Sequence, residues 1–246
     1  MPTSRVRFVS ESGEVAMRMI CLVCLALAAP VAVRAADPTP VSTAPAAAAL
    51  VTPPLPEGLL PLLDRPAHRV ALLQAAQAVE KSQPGACQTG TYATTGEIAI
   101  LLPLKFDSQG RAVSGAWKES MNETGCSIGR VLNALTTVGP NDTLETQALL
   151  PGTTITDPEL QLDSVQYAAA AMGDLPPGCD EGGIIDTAFV GMDGEPPGTK
   201  PKPGSVARPW TENWTLQACA KRAVIVMHFK PDATGTTIEA TPYKGP

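Results

Sequence analysis

Charged residues make up 17% of this 246-residue chain, aromatics 4%, and there are only two histidines. The 18 Lys and Arg are scattered among 24 Asp and Glu, for a net charge of −6. Without a basic cluster, neither nucleic acid nor an anionic lipid surface is an expected partner. The histidines, His68 and His228, lie far from every cysteine, and no two cysteines beyond residue 35 are close neighbours. Zinc-type sites use ligands paired at short spacing, so no metal is expected, and no motif calls for a cofactor. Long apolar runs are also missing. A spanning helix needs about 20 residues, and the longest candidate, Met19 to Val33, is interrupted by Pro30.

Proline (25) and glycine (21) are abundant, which calls for turns and extended segments rather than long helices. Hydrophobic residues at 44% suffice for a core. From Met17 the chain reads "MRMICLVCLALAAPVAVRAADPTP": a positive residue, an apolar stretch and a small-residue site ending at Ala35. Residues 1–35 are therefore expected to be a signal peptide, with Met17 as an alternative start, cleaved before Ala36. The expected location is periplasmic or secreted, with no membrane span after cleavage. Residues 36–58, rich in Pro, Ala and Thr, should form an extended spacer.

Export gives the cysteines a meaning. Cys21 and Cys24 leave with the signal segment, and Cys87, Cys126, Cys179 and Cys219 remain. An even number in an oxidising compartment reads as two disulfides. Four cysteines allow three pairings, and the local one, Cys87–Cys126 with Cys179–Cys219, is preferred because of a repeat.

The repeat is carried by rare residues. "LLP" at Leu59–Pro61 recurs at Leu149–Pro151, and each copy then shows an Asp and a Pro, Asp64/Pro66 and Asp157/Pro158, as a helix-start signal. An Ala-rich helical stretch follows; in the second copy Leu162, Val165, Ala169 and Met172 are expected to share its buried face. Each stretch ends at Pro-Gly before a cysteine. Later come Trp117-x-Glu119 and Trp210-x-Glu212, then Cys126 and Cys219. The offset is 92 at Pro66/Pro158 and Cys87/Cys179, and 93 at the Trp, Glu and second Cys pairs. Such self-similarity predicts duplication. The expected class is α+β: two tandem copies, residues 59–148 and 149–246, each with one helix, three or four antiparallel strands and one disulfide. A copy that once folded alone could use only its own two cysteines.

"RAVIVMHF" should be a strand buried largely on both sides, and "EIAILLPLKF", "DSQG" and "RAVSGAW" a hairpin. The second copy carries an insertion between Gly191 and Pro209, a candidate contact loop. Trp117 and Trp210 are read as core anchors, with Glu119 and Glu212 solvated beside them; the competing reading pairs the two carboxylates for glycoside chemistry. His68 is read as solvated and His228 as a semi-exposed strand residue. "GCSIG", Gly125 to Gly129, matches the nucleophile-elbow pattern, with Ser127, Asp193 and His228 in hydrolase order. The polar stretch before it argues against a buried strand there, and Ala220 takes the place of the serine in the second copy. The expected function is a non-enzymatic, envelope-associated binding or structural protein, its partner an unknown envelope protein or surface ligand. The alternative is a secreted serine hydrolase.

Overall fold

A computed structural model describes residues 55–83, 89–125, 129–179, 181–199, 201 and 208–245. The expected signal segment, most of the expected spacer, Cys87, Cys126 and Ser127 lie outside the described residues. A short helix α1 (Leu59–Leu63) leads into α2 (Pro66–Ser82), followed by β1 (Thr91–Phe106), β2 (Ala112–Thr124), β3 (Val131–Val138) and β4 (Leu144–Ala148). A connector then enters α3 (Pro158–Met172), and β5 (Gly182–Met192), β6 (Trp210–Ala218), β7 (Lys221–Asp232) and β8 (Gly235–Pro242) complete the order. The strands form two antiparallel four-stranded sheets, each in sequential order, β1-β2-β3-β4 and β5-β6-β7-β8. The protein is thus α+β, and each half runs helix first and then a four-strand meander.

The helices form where an apolar stripe meets a start signal. In α2 the buried residues His68, Leu72, Ala75, Ala76 and Val79 recur at helical spacing, and the last four pack on Met121, Leu132 and Ala134 of the β1–β4 sheet, hereafter sheet 1. In α3 the Asp157 carboxylate accepts the Leu160 N–H (2.9 Å) and Pro158 occupies the first turn, as the sequence indicates. The first half differs. Asp64 ends α1 and pairs with Arg69, while Arg65 precedes α2 without a side-chain cap, because one extra residue separates Asp64 from its proline.

The buried face of α3 also departs from expectation. Gln161, Ser164, Ala168 and Met172 face inward, whereas Leu162 is 69% exposed. Gln161 explains the rotation: its Oε1 accepts the Leu150 N–H (3.1 Å) and its Nε2 donates to Thr156 O (3.0 Å), binding the helix to the connector. Burying two polar residues costs little once they are hydrogen-bonded, and their small neighbours let the helix sit close to the sheet.

β6 alternates strictly. Trp210, Glu212, Trp214, Leu216 and Ala218 are buried and the residues between them half-buried. On β7 one face, Ile225, Met227 and Phe229, is buried; the other, Val224, Val226 and His228, is half-buried rather than enclosed. Phe229 stacks on Trp210 at 4.9 Å between centroids and meets Trp214 at 6.2 Å. The expected hairpin of β1 and β2 is present, with Asp107 accepting the N–H groups of Gln109 and Arg111 across the turn.

Cys179 and Cys219 form a disulfide, Cα–Cα 5.9 Å, closing a separation of 40 residues within the second half. Cys219 sits at φ 51 in the tight connection between β6 and β7. Replacing both cysteines by serine is expected to lower stability by about 4 kcal/mol. Urea denaturation of the double mutant checks this; a loss under about 1 kcal/mol would mean that the loop is held without the bond.

Candidate functional site

The halves meet along the connector, residues 149–157. Its first part continues β4's pairing: Leu149 N donates to Asn133 O (2.9 Å) and Gly152 N to Val131 O (2.7 Å), while Asn133 Nδ2 donates to the carbonyls of Leu150 and Gly152. Its second part pairs with β5: Thr153 N donates to Thr187 O (2.6 Å), and the Thr187 hydroxyl to Pro151 O (2.6 Å). From sheet 1, Lys118 Nζ donates to Thr154 O (2.9 Å). The connector is a wedge shared by both sheets.

Beside the wedge lies a groove of about 200 Å³, walled by Gly129–Val131 at the start of β3, by Gly152 and Thr153, by Ile185–Ala188 of β5, and by Arg222 of β7. A register shift between Ile184 and Asp186 buries both Ile184 and Ile185 and leaves Asp186 half-buried in the wall. Burial pushes the Asp186 carboxyl above its usual range, against the pull of its own backbone bond at Thr187 and of the Arg130 and Arg222 guanidiniums. None of these charged residues stood out in the sequence. The only signal was a lone Asp directly after two isoleucines, in a strand whose alternation the shift breaks.

Behind Arg130, on the helix side, lie two buried carboxylates, Glu80 of α2 and Glu123 of β2, each 2% exposed. Arg130 Nη1 reaches Glu80 Oε2 at 3.4 Å, and both Glu123 oxygens lack a hydrogen-bond partner among the described residues. Burial first, then the Glu80 charge, raises the Glu123 carboxyl above 4.5, with Arg130 opposing. A carboxyl raised in the fold disfavours folding once ionised, so the cost is absent below its unfolded value and grows as pH rises through the raised one. Glu123→Gln, which removes the buried charge, is therefore expected to raise Tm at pH 7.5 by about 2–4 °C. The gain should vanish near pH 4.5. Thermal melts at the two pH values check it; an equal gain at both would point to packing instead.

The residues singled out in the sequence fall in three places. Trp117 and Trp210 are buried core anchors, as expected, but Glu119 and Glu212 are buried too, at 6% and 0% exposure. The reason is the same in each half: an indole N–H inside the core needs an acceptor. Trp117 Nε1 donates to Glu119 Oε1 (2.7 Å), which also meets His68 Nε2 (2.7 Å), so His68 is buried at 2% exposure rather than solvated. Glu212 accepts from Trp210 Nε1 (3.1 Å), Trp214 Nε1 (2.8 Å) and Ile155 N (3.0 Å), with the Thr154 hydroxyl as a further partner. Burial raises the Glu212 carboxyl, and these bonds oppose the shift. Each carboxylate is engaged within its own half.

His228 is half-buried on its strand, and its Nε2 lies 2.9 Å from Asp193 Oδ2 while Nδ1 is 3.7 Å from Glu239. This brings together two of the three hydrolase candidates; Ser127 lies outside the described residues. The stretch before it is a buried strand after all, since Glu119, Ser120, Met121 and Glu123 of β2 are covered. The motif nonetheless joins strand to strand, β3 beginning at Val131, whereas an elbow turns from strand to helix. Gly129 at its end shares the groove wall with Arg222, six residues along β7 from His228, roughly 20 Å in an extended strand.

Among the described residues no cluster of three or more His, Cys, Asp or Glu could hold a metal, and no helix is long and apolar enough to cross a membrane. No protein-family model matches the chain, and no curated protein or solved structure is significantly similar to it.

Proposed function

We propose that the chain is an exported, disulfide-stabilised, non-enzymatic binding or structural protein of the cell envelope, built from a duplicated helix-plus-meander unit, in which one copy has acquired the contact surface. The observation that carries this reading is the asymmetry between the halves. The β1–β2 connection is a five-residue turn over 107–111, whereas the equivalent β5–β6 connection runs from 193 to 209. Its described ends are pinned: Arg208 donates to Glu195 Oε1 (2.5 Å) and Asp193 O (2.8 Å), Gly198 N to Val190 O (2.7 Å), and Asp193 meets His228. A long insertion on a firm base is suited to recognition. The common order of elements and the 92–93 residue offsets support the duplication.

A photocrosslinking residue at Thr199 of the exported protein should capture a discrete envelope partner in living cells. A variant with residues 196–207 replaced by a Gly-Asn turn should lose that adduct. N-terminal sequencing should find Ala36 first. Absence of any adduct along the loop, or an uncleaved N-terminus, would overturn the reading. The contact between His228 and Asp193 keeps a second reading, a serine hydrolase using Ser127. Fluorophosphonate labelling that disappears in both Ser127→Ala and His228→Ala would establish it in place of the first.

A further inference from the structure

We propose that the groove between β3, the connector and β5 binds a small zwitterion of the amino-acid type, with its carboxylate on Arg222 and Arg130 and its ammonium group on Asp186. This site is separate from the β5–β6 insertion.

Size limits the ligand first. At about 30 Å³ per water, the 200 Å³ groove holds the equivalent of six or seven waters. That suits a molecule of amino-acid size and is below the roughly 300 Å³ at which sites for drug-sized ligands begin.

Charge limits it next. Arg222 is exposed and has no hydrogen bond or ion pair among the described residues. Among those residues the only side-chain bond of Arg130 is the 3.4 Å contact to Glu80, so most of its five N–H donors remain open. Asp186 lies within the field of both guanidiniums yet forms a salt bridge with neither. Two guanidiniums and a carboxylate are thus held around a gap, each short of a partner.

A simple anion would meet Asp186 as a repelling charge, and a simple amine would meet the two arginines. A molecule carrying both groups on one carbon satisfies all three side chains at once. Glu80 and Glu123 stand behind Arg130 and do not line the groove, so they temper Arg130 and leave Arg222 as the main carboxylate anchor. The walls are preformed, since Gly152 and Thr153 are each bonded across to a sheet.

The test is an NMR titration of the exported protein, disulfides intact, with L-alanine, propionate and ethylamine. Alanine should saturate the shifts of the Gly152, Thr153 and Thr187 amides, with propionate and ethylamine at least about tenfold weaker. Arg222→Gln and Asp186→Asn should each weaken alanine by at least about tenfold with Tm unchanged. Arg222→Lys, which keeps the charge, should lose less. The loop-shortened variant should bind alanine normally, so that the fate of this site and that of the insertion are read separately. Propionate binding as tightly as alanine, or tightening in Asp186→Asn, would mark a plain anion site and overturn the proposal. So would amide shifts that ignore both substitutions, or none with any of the common amino acids up to about 10 mM.

Discussion

Gly152→Ala is expected to lower stability by at least about 4 kcal/mol, placing it among the rare severe point substitutions. A Cβ at this position would lie 2.0 Å from Thr187 O, 2.4 Å from Thr187 N and 2.6 Å from its hydroxyl, and the φ of +101° is one that L-residues rarely adopt. The obstructing atoms are mostly backbone of β5, which cannot yield without breaking the Thr153–Thr187 bond. Gly173 and Gly178 provide the comparison. They also have positive φ, 71° and 77°, but a Cβ at either would meet nothing within 4 Å. Their alanine variants should lose only about 1–3 kcal/mol, the backbone cost alone. Urea denaturation of the three variants separates the effects; equal losses would defeat the steric account.

Glu212→Ala should cost about 4–5 kcal/mol, because one truncation strands several buried donors at once. The indoles of Trp210 and Trp214 and the Ile155 N–H all lose their acceptor, in a place where side-chain exposure is close to zero and water does not replace it. Glu212→Gln should fall between, since one oxygen persists while the new amide confronts an indole donor. Glu119→Ala strands fewer groups, the Trp117 indole and His68, and should cost about half as much. Urea denaturation of the three variants ranks them. A smaller loss at Glu212 than at Glu119 would show that the core relaxes to rescue its donors.

Much of the fold was written in period and punctuation. The alternation of Trp214, Leu216 and Ala218 with Thr215 and Gln217 gave that end of β6 its buried face, and Asp157-Pro158 marked its helix correctly. Where the reading failed, polar groups were burying themselves against one another. Glu119, Glu212 and His68 are charged or polar by type and so read as solvated; only the fold reveals that indoles and a helix start converge on them. Leu162 failed for the converse reason, since Gln161 took the inward position by bonding the connector. The groove was invisible because its walls come from four separate stretches, and a register shift at β5 turns Asp186 toward it.

A stretch without helix or strand between two similar halves is ordinarily where a protein swivels. Residues 149–157 have the opposite effect. Bonded to Val131 and Asn133 on one side and to Thr187 and Glu212 on the other, they remove the freedom such a joint would have. A cut or an exchange at this seam would break bonds to both sheets, so its cost falls on both halves.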